Sequence, residues 1–293
     1  MPEGDSVYQA SSRMHQALAG RTLTRAELRV PRFSAVDLTG RMVDEVRSRG
    51  KNILVVVGPN SHGRDPVTLH THLKMEGRIH IHRAGDRWRF PAHTARLVLR
   101  TDGVEVVGTE LGFLHAVTPA EADAALRDLG PDLLGEDWSR DPRAATAEAV
   151  RRLAARPDRT VGEALLDQRN LAGIGTIYRA ELCFLRGIDP RTPVRAVSDL
   201  LGAVTLARRL LVANADRRMR VTTGEARRGR ELWVYGRDGK PCRRCGTAVE
   251  TFRLGGRADP LAPSDSLDRI AYSCPSCQPR RDTLGATPTE EKT

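Results

Sequence analysis

No apolar run in the 293 residues approaches the ~18 needed for a membrane span. The longest is Ile53-Leu54-Val55-Val56-Val57, so no membrane-crossing helix and no membrane partner is expected. The start of the chain, Met1-Pro2-Glu3-Gly4-Asp5, is acidic and lacks the apolar stretch of an export signal. The expected compartment is therefore the cytoplasm. Cysteine is scarce, with five residues in all. In a chain without an export signal that number points to metal ligands or free thiols and away from a disulfide framework. There is no internal repeat and no long low-complexity tract. What remains is ordinary for a globular protein: 40% hydrophobic and 29% charged residues. The length suits roughly two domains of about 150 residues and can bury a core without covalent staples.

Charge is less ordinary. Forty-seven basic residues face 37 acidic ones, a net of +10. Between Arg208 and Arg257 there are 14 basic and 5 acidic residues, a local net of +9. So concentrated a stripe attracts a polyanion and releases its counterions on binding. A solvated surface that keeps the chain soluble is the plainer alternative. Clustering favours a nucleic acid, and the lack of an amphipathic apolar face disfavours an anionic membrane.

The order of elements can be read from periodicity. Val7, Ala10, Met14, Ala17 and Leu18 recur at helical spacing, with Asp5 or Ser6 as candidate N-caps and Gly20 as the stop. From Thr22 to about Val117 short β-type runs follow, among them Leu23–Val30, Asn52–Val57, Val67–His72, Arg78–His82, Ala95–Arg100 and Val104–Val107. Turn residues separate them, which suggests an antiparallel sandwich or barrel. Beyond Pro119 helical spacing returns at Glu121–Leu129, Ala144–Ala155, Thr160–Asp167, Thr176–Arg186 and Ala196–Ala213. His70 and His72 share one strand face, as do His80 and His82; they form either metal-binding pairs or the polar face of a half-buried sheet.

Cys242-x2-Cys245 and Cys274-x2-Cys277 form two knuckles 28 residues apart. Four thiolates with no open position imply one structural Zn²⁺. A thioredoxin-like redox pair would need a βαβ unit, and none is visible. Cys183, in the apolar stretch Leu182–Leu185, reads as a buried thiol. Arg243, Arg244, Arg253, Arg257 and Arg269 load the cysteine module with cations suited to phosphate.

Several short signatures then combine. They are Pro2-Glu3-Gly4, Arg49-Gly50-Lys51 before an apolar strand, and Leu166-Asp167-Gln168-Arg169. Leu171-Ala172-Gly173-Ile174-Gly175 running into Tyr178, and Trp233-Val234-Tyr235-Gly236-Arg237 before the cysteines, complete the set. In this order, over about residues 1–278, the chain resembles the formamidopyrimidine-DNA glycosylase / endonuclease VIII family, and within it the actinobacterial endonuclease VIII branch. The resemblance implies an α+β multidomain protein: an N-terminal helix plus antiparallel β-sandwich catalytic domain (1–120), a helix–two-turn–helix DNA-binding domain (121–235), and a C-terminal zinc-finger β-hairpin (236–278). A disordered tail (279–293) is expected to follow. It also implies a bacterial, nucleoid-associated monomer acting on damaged DNA.

The chemistry has a physical basis in the residues. Loss of Met1 gives Pro2 a secondary α-amine; an ordinary α-amine titrates near 7.7–8.0, and a helix start in a basic protein lowers it. Such an amine attacks C1′, expels the base and leaves an iminium that acidifies the 2′ hydrogen, driving β,δ-elimination of the phosphates. The resemblance makes Pro2 the nucleophile, Glu3 the proton shuttle and Lys51 a contact to the sugar-phosphate. It makes Gly173, Gly175 and Thr176 a phosphate grip at a helix start, with Thr176 where the family has asparagine. Arg269 corresponds to the phosphate clamp of the zinc hairpin. Met75, in the turn His72–Gly77, is either the wedge that fills the space of an extruded base or a core residue. The stretch Gly108–Phe113 lacks the Arg-Phe wedge of purine-specific relatives, which favours oxidised pyrimidines. Ser6 departs from the glutamate common in the family. The alternative function is a non-catalytic zinc-containing protein that binds damaged or single-stranded DNA.

Overall fold

The computed structural model describes residues 2–59, 65–255 and 269–280. The chain divides into two compact units, Met1–Glu136 and Asp137–Thr293.

The first unit opens with α1 (Gly4–Leu18), whose apolar face Val7, Met14, Ala17 and Leu18 is buried. Glu3 is its N-cap, in extended conformation, and Ser6 sits at the third helical position. Asp5 and Ser6 are thus inside the helix rather than capping it. The Glu3 N–H donates to Ser6 Oγ at 2.9 Å, so Ser6 still satisfies a first-turn group. Gly20, at φ +71°, takes the left-handed conformation just beyond the C-cap.

Eight strands follow: β1 (Arg25–Leu28), β2 (Val43–Arg49), β3 (Asn52–Val57), β4 (Val67–His72), β5 (Arg78–Arg83), β6 (Ala95–Arg100), β7 (Val104–Thr109) and β8 (Phe113–Val117). They form two four-stranded antiparallel sheets, in the orders β1-β6-β7-β5 and β2-β3-β4-β8. One apolar core, including Leu28, Val46, Ile53, Val55, Leu69, Leu97, Leu99 and Val106, joins the inner faces of both sheets to α1. This is the expected sandwich. The strand expected at Leu23–Val30 is shorter, because Leu23 lies outside the ladder, where neighbouring Thr22 makes only an isolated bridge to Met42. The short helix α2 (Pro119–Leu126) closes the outer side of the second sheet through Leu54, Ala122 and Leu126. Thr118 caps it, accepting from Glu121 N–H at 3.2 Å while its own N–H donates to Glu121 Oε2 at 2.8 Å. That cap moves the start two residues ahead of the expected Glu121.

The second unit is helical: α3 (Glu136–Arg140, straddling the division), α4 (Pro142–Ala154), α5 (Val161–Leu166), α6 (Thr176–Arg186) and α7 (Leu200–Asn214). Asp199 caps α7 through Gly202 N–H at 2.7 Å, so the helix begins four residues later than the expected Ala196. Strands β9 (Glu250–Leu254) and β10 (Arg269–Ser273) form the antiparallel hairpin that bears the cysteines. Residues 281–293 of the expected tail lie outside the described residues.

Candidate active site and metal centre

In the first unit, Pro2 is half-buried and Glu3 is fully buried, with 0% exposure. Both precede α1 directly, and α1 packs against β2 and β3. Lys51 occupies the turn joining those two strands. The preceding Gly50 has φ +58°, and its N–H donates to Asp132 Oδ2 at 2.7 Å; Asp132 is itself buried. A carboxylate 82 residues away thus fixes the turn that presents Lys51.

His72, at the end of β4, is held at a pKa of about 4 by burial and by the positive charges of Lys51 and Lys74. Its neutral ring accepts the Lys74 N–H at Nδ1, 2.8 Å away. His70 is likewise lowered to about 4 by burial and by His115, and its Nε2 lies 3.0 Å from Asn52 Oδ1. Phe113 meets His70 edge-on and stacks on His115. His80 bonds to Thr109 and His82 to Glu105. His80 and His82 are half-buried on their sheet face; among the described residues, the four cysteines are the one group of three or more side chains placed to share a metal ion.

Met75 is 53% exposed at the tip of the β4–β5 turn, which removes the core alternative. The turn is tightly built. Gly77 N–H donates to Leu73 O at 2.9 Å, and a Cβ at Gly77 would stand 2.4 Å from that same oxygen. Gly112 N–H donates to His72 O at 2.8 Å, and the Lys74 side chain lies where a Gly112 Cβ would be. The β4–β5 and β7–β8 loops therefore pack on each other. Lys74 (φ +48°) and Glu110 (φ +49°), one in each loop, are the only non-glycine positive-φ residues among those described. Such strain concentrates at functional loops.

In the second unit, Gly173 (φ +110°) and Gly175, the N-cap of α6, lead into buried Thr176. Gln168 shapes this loop: its amide donates to Leu166 O (2.8 Å) and Ile174 O (2.9 Å), and its oxygen accepts the Gly173 N–H (3.0 Å). Burial alone would raise the pKa of the neighbouring Asp167; the guanidinium groups of Arg169 and Arg159 instead bring it down to about 2.

Further along α6, Arg179 is fully buried and donates to Ile270 O at 2.5 Å. It thereby anchors the start of β10, where Arg269 stands; residues 256–268 lie outside the described residues. Glu181 is buried and accepts the N–H groups of Trp233 (2.7 Å), Val234 (2.9 Å) and Tyr235 (2.9 Å) as well as the Thr222 hydroxyl. Burial raises its pKa against the lowering effect of these donors. The Trp-Val-Tyr signature is thus the backbone segment that docks the cysteine module onto α6. Arg179 and Glu181 escaped sequence reading. Their only signal was two charges inside the otherwise apolar 177–185 stretch.

The four cysteine sulfurs lie within 4.8 Å of one another, with Cys242–Cys277 at 3.9 Å and Cys245–Cys274 at 3.4 Å. Ligand arms of about 2.3 Å at the tetrahedral angle put sulfurs about 3.8 Å apart, so the donor set fits one metal ion. Gln278 supports the second knuckle, accepting the Cys274 N–H at 2.9 Å and donating to Ile188 O at 2.8 Å. Cys183 is buried, and burial pushes its pKa up to about 12, an inert thiol.

Residues 1–114 match the formamidopyrimidine-DNA glycosylase N-terminal domain and residues 129–207 the formamidopyrimidine-DNA glycosylase H2TH domain. The chain is 48% identical to the probable endonuclease 8 2 of Streptomyces coelicolor, covering 95% of this chain and 94% of that one. It is 45% identical to endonuclease 8 2 of Mycobacterium tuberculosis, over 95% of this chain and 100% of the relative. With the DNA-(apurinic or apyrimidinic site) lyase Nei2 of Mycolicibacterium smegmatis the identity is 44%, over 95% and 99%. A crystal structure of the Lactococcus lactis enzyme Fpg with DNA containing an abasic site superposes with a TM-score of 0.73 at 19% identity, over 95% of this chain and all of that one. At that identity the likeness concerns the fold.

Proposed function

Because the chain belongs to the formamidopyrimidine-DNA glycosylase / endonuclease 8 family, we propose that it removes oxidised pyrimidines from DNA and cleaves the abasic strand by β,δ-elimination through Pro2. The coarse activity is that of the family: a DNA-binding glycosylase of base excision repair with abasic-site lyase activity.

The observation that carries the finer reading is the start of α1, where Pro2 is followed at once by a fully buried carboxyl, Glu3. After Met1 is removed, the Pro2 nitrogen attacks C1′ and the base departs with its bonding pair. Glu3 moves the protons at the sugar. The C1′–O4′ bond then breaks, its oxygen taking a proton by way of Glu3, and leaves on Pro2 an iminium that cannot lose a proton from nitrogen, so it withdraws electrons from C2′–H. Loss of that proton breaks the C3′–O bond, and a second elimination frees the 5′ phosphate. Water then releases Pro2. Lys51 contacts the sugar-phosphate from the β2–β3 turn. Met75, exposed on a stiff loop, fills the space of the extruded base. Gly173, Gly175 and Thr176 receive a phosphate at the α6 start, the Thr176 hydroxyl standing in for a longer amide. Arg269 grips the phosphates beside the lesion. Cys242, Cys245, Cys274 and Cys277 hold a structural Zn²⁺, which takes no part in the chemistry. The enzyme acts as a monomer.

Borohydride reduction of the enzyme mixed with abasic DNA tests this reading. A covalent adduct is expected with the parent chain and a much weaker one with Pro2→Gly, whose primary amine gives an imine that can lose its proton from nitrogen. An unchanged adduct in the variant would remove Pro2 from the mechanism, and no adduct with the parent would leave the non-catalytic binder. Glu3→Gln is expected to bind lesion DNA as the parent does, yet lower base excision at least a hundredfold, the scale of lost acid–base catalysis; single-turnover excision kinetics check it.

A further inference from the structure

Strand β5 ends its sheet, bonded to β7 alone among the described residues. Natural sheets blunt such edges with lysine, proline, bulges or short length. Lysine, proline and bulges are absent from β5, whose exposed charges, Arg78 and Arg83, sit only at its two ends. The segment Arg78-Ile79-His80-Ile81-His82-Arg83 keeps regular register with β7 over all six pairs. Alongside it runs a groove of about 850 Å³, bounded by Ile79–His82, by Arg13 of α1 and by residues 86–90.

The wall formed by Arg87-Trp88-Arg89-Phe90 alternates. Both arginines are exposed and both rings are half-buried. The rings are fixed in place: Trp88 Nε1 donates to Glu105 at 2.7 Å, and Phe90 stacks between Trp88 (5.3 Å) and His80 (4.2 Å). Arg13, Arg87 and Arg89 outnumber the one carboxylate in the lining, Asp86. The groove therefore offers an open backbone edge, preset aromatic faces and surplus positive charge.

We infer that the edge of β5 docks an extended acidic peptide of a partner protein, which adds to the sheet as a further strand with its carboxylates on Arg13, Arg87 and Arg89. Strand addition takes affinity from main-chain pairing and specificity from alternate side chains. A second copy of this chain would bring the same arginines against their own kind, so charge disfavours it. A nucleic-acid strand meets the arginines and rings but has no amide row to pair with the edge. Arg13 lies nine residues beyond Gly4, about 14 Å along α1, so a docked peptide leaves the Pro2 end clear.

The probe is a fluorescein-labelled nine-residue peptide alternating aspartate with isoleucine and phenylalanine, titrated against the full chain by anisotropy. Saturable binding is expected. It should weaken at least tenfold in Arg87→Ala/Arg89→Ala, and as much when alternate peptide nitrogens are methylated. Hydrogen exchange at residues 79–82 should slow on binding, and the double variant should keep abasic-strand cleavage. Equal binding of the methylated peptide would overturn the strand-addition geometry. Displacement by a thymidine nonamer at equal concentration would make the groove a nucleic-acid site instead. Self-association that the peptide reverses would assign it to a second copy. Absence of saturable binding would sink the proposal outright.

Discussion

At the scale of single residues, the two histidines beside the β4–β8 ladder make a pH prediction. The pKa values of His70 and His72 are depressed to about 4 in the fold, while free imidazole titrates near 6.5. The unfolded chain therefore takes up protons first as pH falls. Stability is full above about 6.5 and declines as pH drops towards 4, by an amount on the order of 2–3 kcal/mol for buried His70. Half-buried His72 contributes in the same direction, reduced by solvent screening. Urea midpoints at pH 7 and 4.5 check this, with His70→Gln expected to flatten the pH dependence. An unchanged slope in that variant would acquit His70. Asp167, held near 2, gives its contribution up only below its usual range, so the two effects separate in pH.

Residue chemistry was legible in the sequence only where spacing carries it. Two Cys-x2-Cys knuckles announce a tetrahedral donor set, and the sulfurs do converge. Gln168 acts within six residues of itself, yet hydrogen bonds of that kind leave no periodic trace. Arg179, Glu181 and Gln278 reach partners 41 to 91 residues away, and no local pattern records a bond of that length. Asp132 is the same case: its value lies in closing the Lys51 turn from afar.

At the scale of elements, the loops that carry candidate site residues are set by backbone sterics. Gly77 can carry no Cβ without moving Leu73, whose oxygen would be 2.4 Å away. Gly77→Ala should thus lower stability by about 1–3 kcal/mol, as overpacking does. Because Met75 rides on this turn, the variant should lose more excision on duplex than on single-stranded substrate. Paired assays on the two substrates, with thermal melting, check it; equal losses would detach the turn from base extrusion. Strands β3, β4 and β6 were readable because their apolar runs are continuous or alternate cleanly. Strand β2 was not, since Asp44, Glu45, Arg47 and Arg49 break its pattern and a bulge lies between Val43 and Glu45. Strand β8 was hidden for a different reason: it is only five residues long and begins directly after Gly112, too short for a period to declare itself.

At the scale of the molecule, the basic stripe and the cysteine module lie in the second unit and the Pro2 end in the first. DNA grip and bond-breaking chemistry should therefore be separable. Removing the metal with a chelator is expected to abolish DNA binding while the circular-dichroism signal of the sandwich persists; loss of both would tie the metal to global folding. Arg269→Ala should weaken binding to all sequences and reduce the salt slope by about one ion. An unchanged slope would contradict a phosphate contact.

In the proposed mechanism the nucleophile is the imino group of Pro2 and not a lysine. Its most direct test is to trap the enzyme on abasic DNA with borohydride, digest with trypsin and locate the adduct by mass spectrometry. The modification is expected on the peptide spanning residues 2–13, at Pro2, in protein that has lost Met1. An adduct on Lys51, or on protein that retains Met1, would contradict it.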